Sequence, residues 1–234
     1  MESNSGKYKF ATDQNLSASK IDKAVPYPLL KRIFDLTISL FALIILSPLF
    51  LLIFLATKIE GWLNPACRGP FIYSETRISA GQPFKFYKIR IFKPKVLSET
   101  LENEGFIHTK PLEADKRNLT TVGNFLKKFY LDEIAQFINV IKGEMSLVGT
   151  RPWNVVDYKR EVGMGIYRKK VIKAGITGLL QITKGTHYLY PGGDKGLDDY
   201  YIDFCRTHSS IQIVFFDLKI IGWSIIKLLR GQGL

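Results

Sequence analysis

A long apolar segment near the N-terminus constrains the fold of this chain more than any other feature. From Ile33 to Thr57 the sequence reads IFDLTISLFALIILSPLFLLIFLAT, with Lys31-Arg32 before it and Lys58 after it. A helix that crosses about 30 Å of hydrocarbon needs roughly 20 such residues. A buried core helix is the alternative, although the length and uniform apolarity of this segment are typical of membrane helices. The sequence therefore predicts a membrane helix over residues 27–58.

Three features bear on how this helix sits in a bilayer. Pro48, which follows Ser47, interrupts the helical hydrogen bonds near the middle of the segment. Basic residues flank both ends, whereas a simple span shows a charge asymmetry. Asp35 is costly in hydrocarbon and is better placed near an interface. A helix that is broken at Ser47 and Pro48, and enters and leaves on the cytoplasmic face, explains all three features. Re-entry is therefore favoured over a simple span.

The composition indicates an anionic partner. The formal net charge is +12 and the sequence pI is near 9.6. Such charge favours nucleic acid, an anionic membrane surface or phosphorylated substrates. Cys67 and Cys205 are the two cysteines, and a reduced compartment is favoured over a disulfide between them. The three histidines lie far apart in sequence and predict no zinc site.

The rest of the chain predicts a tail and a domain. Residues 1–26 are polar and aperiodic, which predicts a flexible N-terminal tail without the apolar region of a signal peptide. Residues 59–234 form the predicted catalytic domain. Its fold class is α+β and mainly α, with interfacial amphipathic helices. One of these is the C-terminal run IQIVFFDLKIIGWSIIKLLRG, which is too charged to span.

Local patterns place the elements of this domain. GPFIYSETR and FKFYKIRIF are strand-like runs separated by Ser79–Pro83, which predicts a β-hairpin. An apolar stripe with helical spacing predicts a helix from Leu131 to Ile141, after a helix that Thr121 caps. A further helix is predicted over 154–172, a loop over 186–200, and a charged surface stretch over 97–118.

The adjacent carboxylates Asp132 and Glu133 are the main candidates for chemistry. At a helix start they have a structural explanation, because carboxylates cap free N–H groups and complement the helix dipole. An ionised carboxylate there can also attack phosphorus, while its neighbour binds a metal or moves a proton. Attack on a diphosphate requires cations, and the candidate cations in this sequence are Lys88, Arg90, Lys127, Lys128 and Arg151.

A longer motif surrounds this acidic pair. LTTVGNFLKKFYLDEIAQFINVIKGEMSLVGTRPW resembles, in order and without gaps, the signature of the bacterial sugar transferases, the monotopic phosphoglycosyl transferases. The resemblance extends upstream through Lys31-Arg32, Asp35 and Ser47-Pro48. It continues after Ser47-Pro48 through GPFIYSETR and KFYKIR and, beyond the long motif, through GITGLLQI, so that it covers about residues 28–230.

This resemblance implies a reaction and roles for individual residues. Asp132 matches the nucleophile that takes a phosphosugar from a UDP-sugar as a covalent aspartyl intermediate and releases UMP. Glu133 matches the carboxylate that works with Mg²⁺ and the incoming polyprenyl phosphate, so that both acidic residues are implied at the metal. Lys88, Arg90 and Arg151 fall on positions associated with phosphate or nucleotide binding.

The same resemblance implies partners and a location. The donor is a UDP-sugar, the acceptor is polyprenyl (undecaprenyl) phosphate, and the cofactor is Mg²⁺. The chain lies on an anionic lipid membrane, at the cytoplasmic face of the bacterial inner membrane, and does not bind nucleic acid. Ser47-Pro48 matches the break in a re-entrant helix. The implied product starts the synthesis of a polysaccharide or glycoconjugate, such as capsule, O-antigen or exopolysaccharide.

Several positions depart from the family pattern. Ala135 and Thr150 stand where Pro is usual, and Leu180 stands where Trp is usual. None of these changes touches the acidic pair, but they weaken inferences about the sugar. Two alternatives stay open at this point. One is a non-catalytic, membrane-anchored binding protein with a basic face, and the other is a spanning protein with an external enzymatic domain.

Overall fold

The structure is a computed structural model that describes residues 22–104, 109–186 and 189–230. Most of the predicted tail, residues 1–21, lies outside the described residues. The helices have the following bounds: α1 Leu29–Leu63, α2 Pro94–Glu104, α3 Thr109–Ala114, α4 Thr121–Lys128, α5 Gln136–Ile141, α6 Val155–Gly163, α7 Arg168–Val171, α8 Leu179–Ile182, α9 Gly193–Thr207 and α10 Ser210–Leu229. The strands are β1 Ile72–Ser79, β2 Gln82–Ile89, β3 Ser146–Val148 and β4 Gly175–Thr177. The α+β, mainly α fold class is confirmed.

Helix α1 is the apolar segment identified in the sequence. Among the described helices it alone is long and apolar enough to cross a membrane, with a mean hydropathy of 2.9 over its most apolar window. Pro48 lies inside it and has no N–H to donate to the carbonyl of Ile44. The hydroxyl of Ser47 donates to that carbonyl instead, at 2.7 Å. Ser47 therefore supplies the hydrogen bond that Pro48 removes.

Both ends of α1 contact the same domain. Near its start, Arg32 donates to the last carbonyls of α5, at 2.6 and 2.7 Å. Near its end, Glu60 accepts from two N–H groups in the first turn of α4. Those N–H groups have no partner inside their own helix, and the carboxylate also complements the helix dipole. Ile53, between these contacts, is buried against the domain.

The start of α1 belongs to a buried polar network with α10. Lys31 pairs with Asp217, and the hydroxyl of Tyr201 donates to the other oxygen of Asp217, at 2.7 Å. Asp35 accepts from Ser146 at 2.6 Å. Asp35 is fully buried in this network, so it is surrounded by protein groups, and its position near a membrane interface stays a prediction. Asp217 is equally buried, so it does not give α10 the exposed charge that the sequence indicated.

The predicted β-hairpin is confirmed. β1 and β2 pair antiparallel from Ile72↔Ile89 to Ser79↔Gln82. Ala80 and Gly81 form the two-residue turn, with φ of 48° and 75°, as in the turns that match strand twist. A second pair, which the sequence did not predict, is parallel: β3 and β4 join the SLVG and GITG segments.

The core has two parts, and both contact α1. One lies among the hairpin, β3, α9 and α10, and the other lies under the second half of α1. Cys67 and Cys205 are free and buried in these regions. Burial of apolar side chains against α1 stabilises it on the domain, by roughly 25 cal/mol per Å² of apolar surface.

Several predicted boundaries are wrong. The segment from Leu131 starts as a 3₁₀ helix, Leu131–Ala135, before α5 begins. The helix predicted over 154–172 breaks between α6 and α7, where Gly165 has a φ of 71°. The predicted surface stretch 97–118 contains α3 and most of α2, and α9 starts within the loop predicted over 186–200.

Candidate active site

Asp132 lies in the 3₁₀ helix between α4 and α5. The helix follows Tyr130, which adopts a left-handed conformation with φ 57° and ψ 24° and carries no side-chain cap hydrogen bond. Such a conformation is strained for a residue with a side chain and occurs most often at functional sites. Asp132 is not the N-cap residue but lies with Glu133 in the first turn of this helix, where carboxylates also complement the positive end of the helix. Its side chain is turned inward, and the residue is 7% exposed.

The surroundings of Asp132 perturb its ionisation. Burial raises the pKa of this carboxyl, Lys88 lowers it, and the negative charge of Glu133 raises it again, which leaves the pKa at about 7. The ammonium of Lys88 lies 3.9 Å from Asp132 Oδ2 and 3.8 Å from Glu133 Oε1. Strongly perturbed carboxyls of this kind are concentrated at functional sites. This carboxyl can exchange between its protonated and ionised forms near neutral pH.

A cleft opens beside the acidic pair. It lies between the hairpin, the start of α5 and the loops after β3 and β4. Lys88, Glu133 and Arg151 line it, and Arg151 comes from the loop after β3. The other lining residues are Arg77, Phe86, Thr109, Gln136, Pro152, Gly175, Ile176 and Gln181. The cleft thus combines basic side chains with a carboxylate, as a diphosphate–metal site requires.

The structure brings together most of the predicted site residues, but not Arg90. Asp132, Glu133, Lys88 and Arg151 all lie in or beside the cleft. Arg90 is buried elsewhere and donates to the backbone carbonyls of residues 67, 70 and 92. This geometry indicates that Arg90 stabilises the chain after β2, and its binding of substrate stays a prediction without geometric support.

The two lysines of α4 are also outside the cleft lining. Lys127 donates to the carbonyl of Glu113 at 2.9 Å and pairs with its carboxylate at 3.3 Å. Lys128 lies 5.6 Å from the ring of Phe129. Neither lysine lies close enough to the acidic pair to be assigned a role in it.

Sequence reasoning missed Arg77, Gln136 and Gln181. Gln136 and Gln181 are buried polar residues in the wall of the cleft, at 2% and 4% exposure. A polar side chain between Leu180 and Ile182 in the run GITGLLQI was the available signal for Gln181, because buried polar groups require partners.

The donor set suits Mg²⁺ better than a softer metal. The described residues contain no group of three or more His, Cys, Asp or Glu side chains able to hold a metal ion. Mg²⁺ is commonly held by one or two carboxylates together with substrate phosphates. Glu133 opens on the cleft and Asp132 lies next to it, so these two carboxylates fit such an ion.

The family model described as "Bacterial sugar transferase" matches residues 26–231. Galactosyl transferase CpsE of Streptococcus agalactiae is 34% identical over 82% of this chain and 42% of its own length. The UDP-glucose:undecaprenyl-phosphate glucose-1-phosphate transferase of Escherichia coli is 34% identical over 85% of this chain and 40% of its own length. The chain thus spans about two fifths of the length of these relatives.

A third relative is matched over most of its own length. The exopolysaccharide production protein ExoY of Sinorhizobium fredii is 35% identical over 79% of this chain and 82% of its own length. The family match covers the membrane helix, the hairpin and the acidic pair together. On these grounds the chain belongs to the bacterial sugar transferase family.

Proposed function

We propose that this chain transfers a sugar 1-phosphate from a UDP-sugar to polyprenyl phosphate and releases UMP. The observation that carries the proposal is the buried Asp132 beside Lys88 and Glu133, at the wall of a basic cleft. Relatives are named as UDP-glucose:undecaprenyl-phosphate and undecaprenyl-phosphate galactose transferases, which supports the same reaction class. No observation favours a purely binding role.

The first step is attack by Asp132. A carboxylate oxygen forms a bond to the phosphorus that carries the sugar, and the bond from that phosphorus to the bridging oxygen breaks. The bridging oxygen and its electron pair leave with UMP. Lys88 offsets negative charge on the phosphoryl oxygens as this occurs. Arg151, which lines the same cleft, binds the diphosphate in this proposal.

The second step regenerates the carboxylate. A phosphate oxygen of the polyprenyl acceptor bonds to the same phosphorus, and the aspartyl oxygen leaves as carboxylate. The product is a polyprenyl diphosphate-sugar. Mg²⁺ held by Glu133 and Asp132 would supply positive charge for the donor phosphates. Splitting the transfer into two steps is the usual advantage of a covalent intermediate.

The membrane placement is part of the proposal. Both ends of α1 bind one domain, through Arg32 at the start and Glu60 at the end. If α1 crossed the bilayer, its two ends would lie on opposite sides of the membrane and could not both contact this domain. The contacts therefore support re-entry at Ser47-Pro48, with the cleft on the cytoplasmic face of the inner membrane, where UDP-sugars and an anionic leaflet are available.

The test is reconstitution. Purified protein, undecaprenyl phosphate and Mg²⁺ are incubated with UDP-glucose, UDP-galactose or UDP-N-acetylgalactosamine, and UMP release and lipid-linked sugar are measured. We expect stoichiometric UMP and lipid product with at least one donor, and loss of both in excess EDTA. Absence of UMP release with every UDP-sugar in a wider panel would overturn the proposal.

A further inference from the structure

Two buried polar atoms in the cleft wall are unmatched. Gln181 Oε1 and Arg77 Nε have no hydrogen-bond partner among the residues that the structure describes. Both residues line the cleft that contains Lys88 and Glu133. A buried polar group left without a partner destabilises the fold, because its hydrogen bonds to water are lost and not replaced. Unmatched groups of this kind in one cleft indicate that a ligand supplies their partners.

The positions of both groups are fixed by neighbouring contacts. Gln181 is in α8, whose last carbonyls accept from Lys227 of α10, at 3.2 Å for the carbonyl of Ile182. Its amide oxygen lies close to Gly178, where an added Cβ would be 3.1 Å from that oxygen. Arg77 is held through its Nη2, which donates to Glu75 at 2.8 Å. Arg77 therefore cannot turn toward another protein partner without breaking its contact with Glu75, and Gln181 is positioned through the backbone of α8.

We propose that Gln181 and Arg77 recognise neutral polar groups of the nucleotide-sugar donor, with Gln181 Oε1 accepting and Arg77 Nε donating a hydrogen bond. The inference rests on the proposed transferase function and names residues that select its donor. The chemistry needed is a ligand that offers both a donor and an acceptor. A sugar hydroxyl offers both, and so does the imide edge of uracil.

The first experiment measures how much the hydrogen-bond acceptor Gln181 Oε1 contributes to the recognition of the UDP-sugar. Gln181→Met keeps the length of the side chain but removes the acceptor, whereas Gln181→Glu keeps an acceptor oxygen. With the UDP-sugar that gives UMP release, we expect Gln181→Met to raise KM about 10- to 100-fold with kcat changed much less. Arg77→Lys keeps the charge, lacks Nε–H, and is expected to act in the same direction. Gln82→Met, at an exposed position of the hairpin, is the matched control and should behave as wild type.

Analogues of the donor distinguish whether Gln181 contacts uracil or the sugar. If Gln181 contacts uracil, Gln181→Met weakens inhibition by UMP, and wild type discriminates against an N3-methylated donor. If it contacts the sugar, inhibition by UMP is unchanged, and one monodeoxy-sugar donor is rejected about 10- to 100-fold by wild type. In either case Gln181→Met loses that discrimination, which a merely structural defect would not cause.

The inference is overturned if Gln181→Met keeps wild-type KM and wild-type discrimination against every analogue. Its failure is distinguishable from failure of the transferase proposal. If wild type releases no UMP, calorimetric binding of the UDP-sugars and UMP to wild type and Gln181→Met is measured instead. Binding that the variant weakens about tenfold or more supports donor recognition, and equal or absent binding in both proteins overturns it.

Discussion

The ammonium of Lys88 lies 3.9 Å from Asp132 Oδ2, which is too long for a hydrogen bond and short enough for a strong electrostatic interaction. The same ammonium is 3.8 Å from Glu133, so one strand residue serves two carboxylates. Lys88 therefore favours the ionised form of Asp132 without donating a hydrogen bond to it. The side chain is positioned by β2, where Lys88 pairs with Tyr73 of β1.

Removal of this cation is expected to impair the enzyme in two ways. Lys88→Met should raise the pKa of Asp132 further, because the influence that lowers it is lost, and should remove charge stabilisation of the phosphoryl oxygens. We expect kcat/KM for UMP release to fall about 10²- to 10³-fold. Lys85→Met, which changes an exposed lysine on the same strand, is the control. Equal activity of the two variants would contradict the role of Lys88.

The pH dependence follows from the ionisation of Asp132. The nucleophile must be ionised, and its pKa is about 7, so kcat/KM should rise with pH through about 7 and then level off. A profile of UMP release from pH 5 to 9 tests this. In Lys88→Met the rise should move to higher pH. A pH profile for wild type that is flat below pH 7 would contradict a raised pKa at Asp132.

The ionisation of Asp132 also affects the stability of the fold. Its contribution to stability decreases as the pH rises, whereas kcat/KM increases. Its pKa is raised on folding, so the folded state binds the proton more tightly than the unfolded state. Its stabilising contribution is complete below pH about 4 and is lost as the pH rises through about 7. Asp132→Asn does not titrate, so its stability relative to wild type should increase from pH 4 to pH 7. This increase in relative stability is up to about 1.4 kcal/mol for each factor of ten by which the folded state binds the proton more tightly than the unfolded state. Thermal unfolding of both proteins across this range measures the difference.

Topology can be tested with single cysteines. Cys67 and Cys205 are buried and free, and are first replaced by Ala. Cysteine is then placed at exposed Lys23, before α1, and at exposed Lys58, near its end. Re-entry predicts that a membrane-impermeant maleimide, applied to oriented vesicles, labels both positions from the cytoplasmic side. Labelling of the two positions from opposite sides would contradict re-entry and would leave the transferase mechanism standing.

Local signals were enough to predict the hairpin and the long apolar helix α1. Ser79–Pro83 separates two strand-like runs, and the observed turn lies at Ala80 and Gly81 within it. The Ser47-Pro48 pair also acts locally, through the carbonyl of Ile44. In each case the residues that decide the structure are within a few positions of one another.

Other features depend on contacts that the sequence does not reveal. Arg90 looks like a phosphate ligand in KFYKIR, but backbone carbonyls on both sides of the hairpin occupy its donors. The burial of Asp35 depends on a hydrogen bond from Ser146, which is far along the chain. The 3₁₀ geometry at Asp132 follows from the left-handed Tyr130, a residue type that does not predict that conformation. The geometry of these residues therefore depends on partners that are distant in sequence and on backbone strain.

The covalent intermediate on Asp132 is the central claim, and mass spectrometry of the enzyme incubated with donor alone tests it most directly. Without polyprenyl phosphate, wild type should release about one UMP per active site and carry a sugar phosphate on the peptide that contains Asp132. Asp132→Asn keeps the side-chain shape but its amide is a poor nucleophile, so it should carry no adduct. Its turnover should fall by several orders of magnitude, at about 1.4 kcal/mol of barrier for each factor of ten. An Asn variant that turns over normally, or a wild-type enzyme that turns over without ever carrying the adduct, would contradict the mechanism.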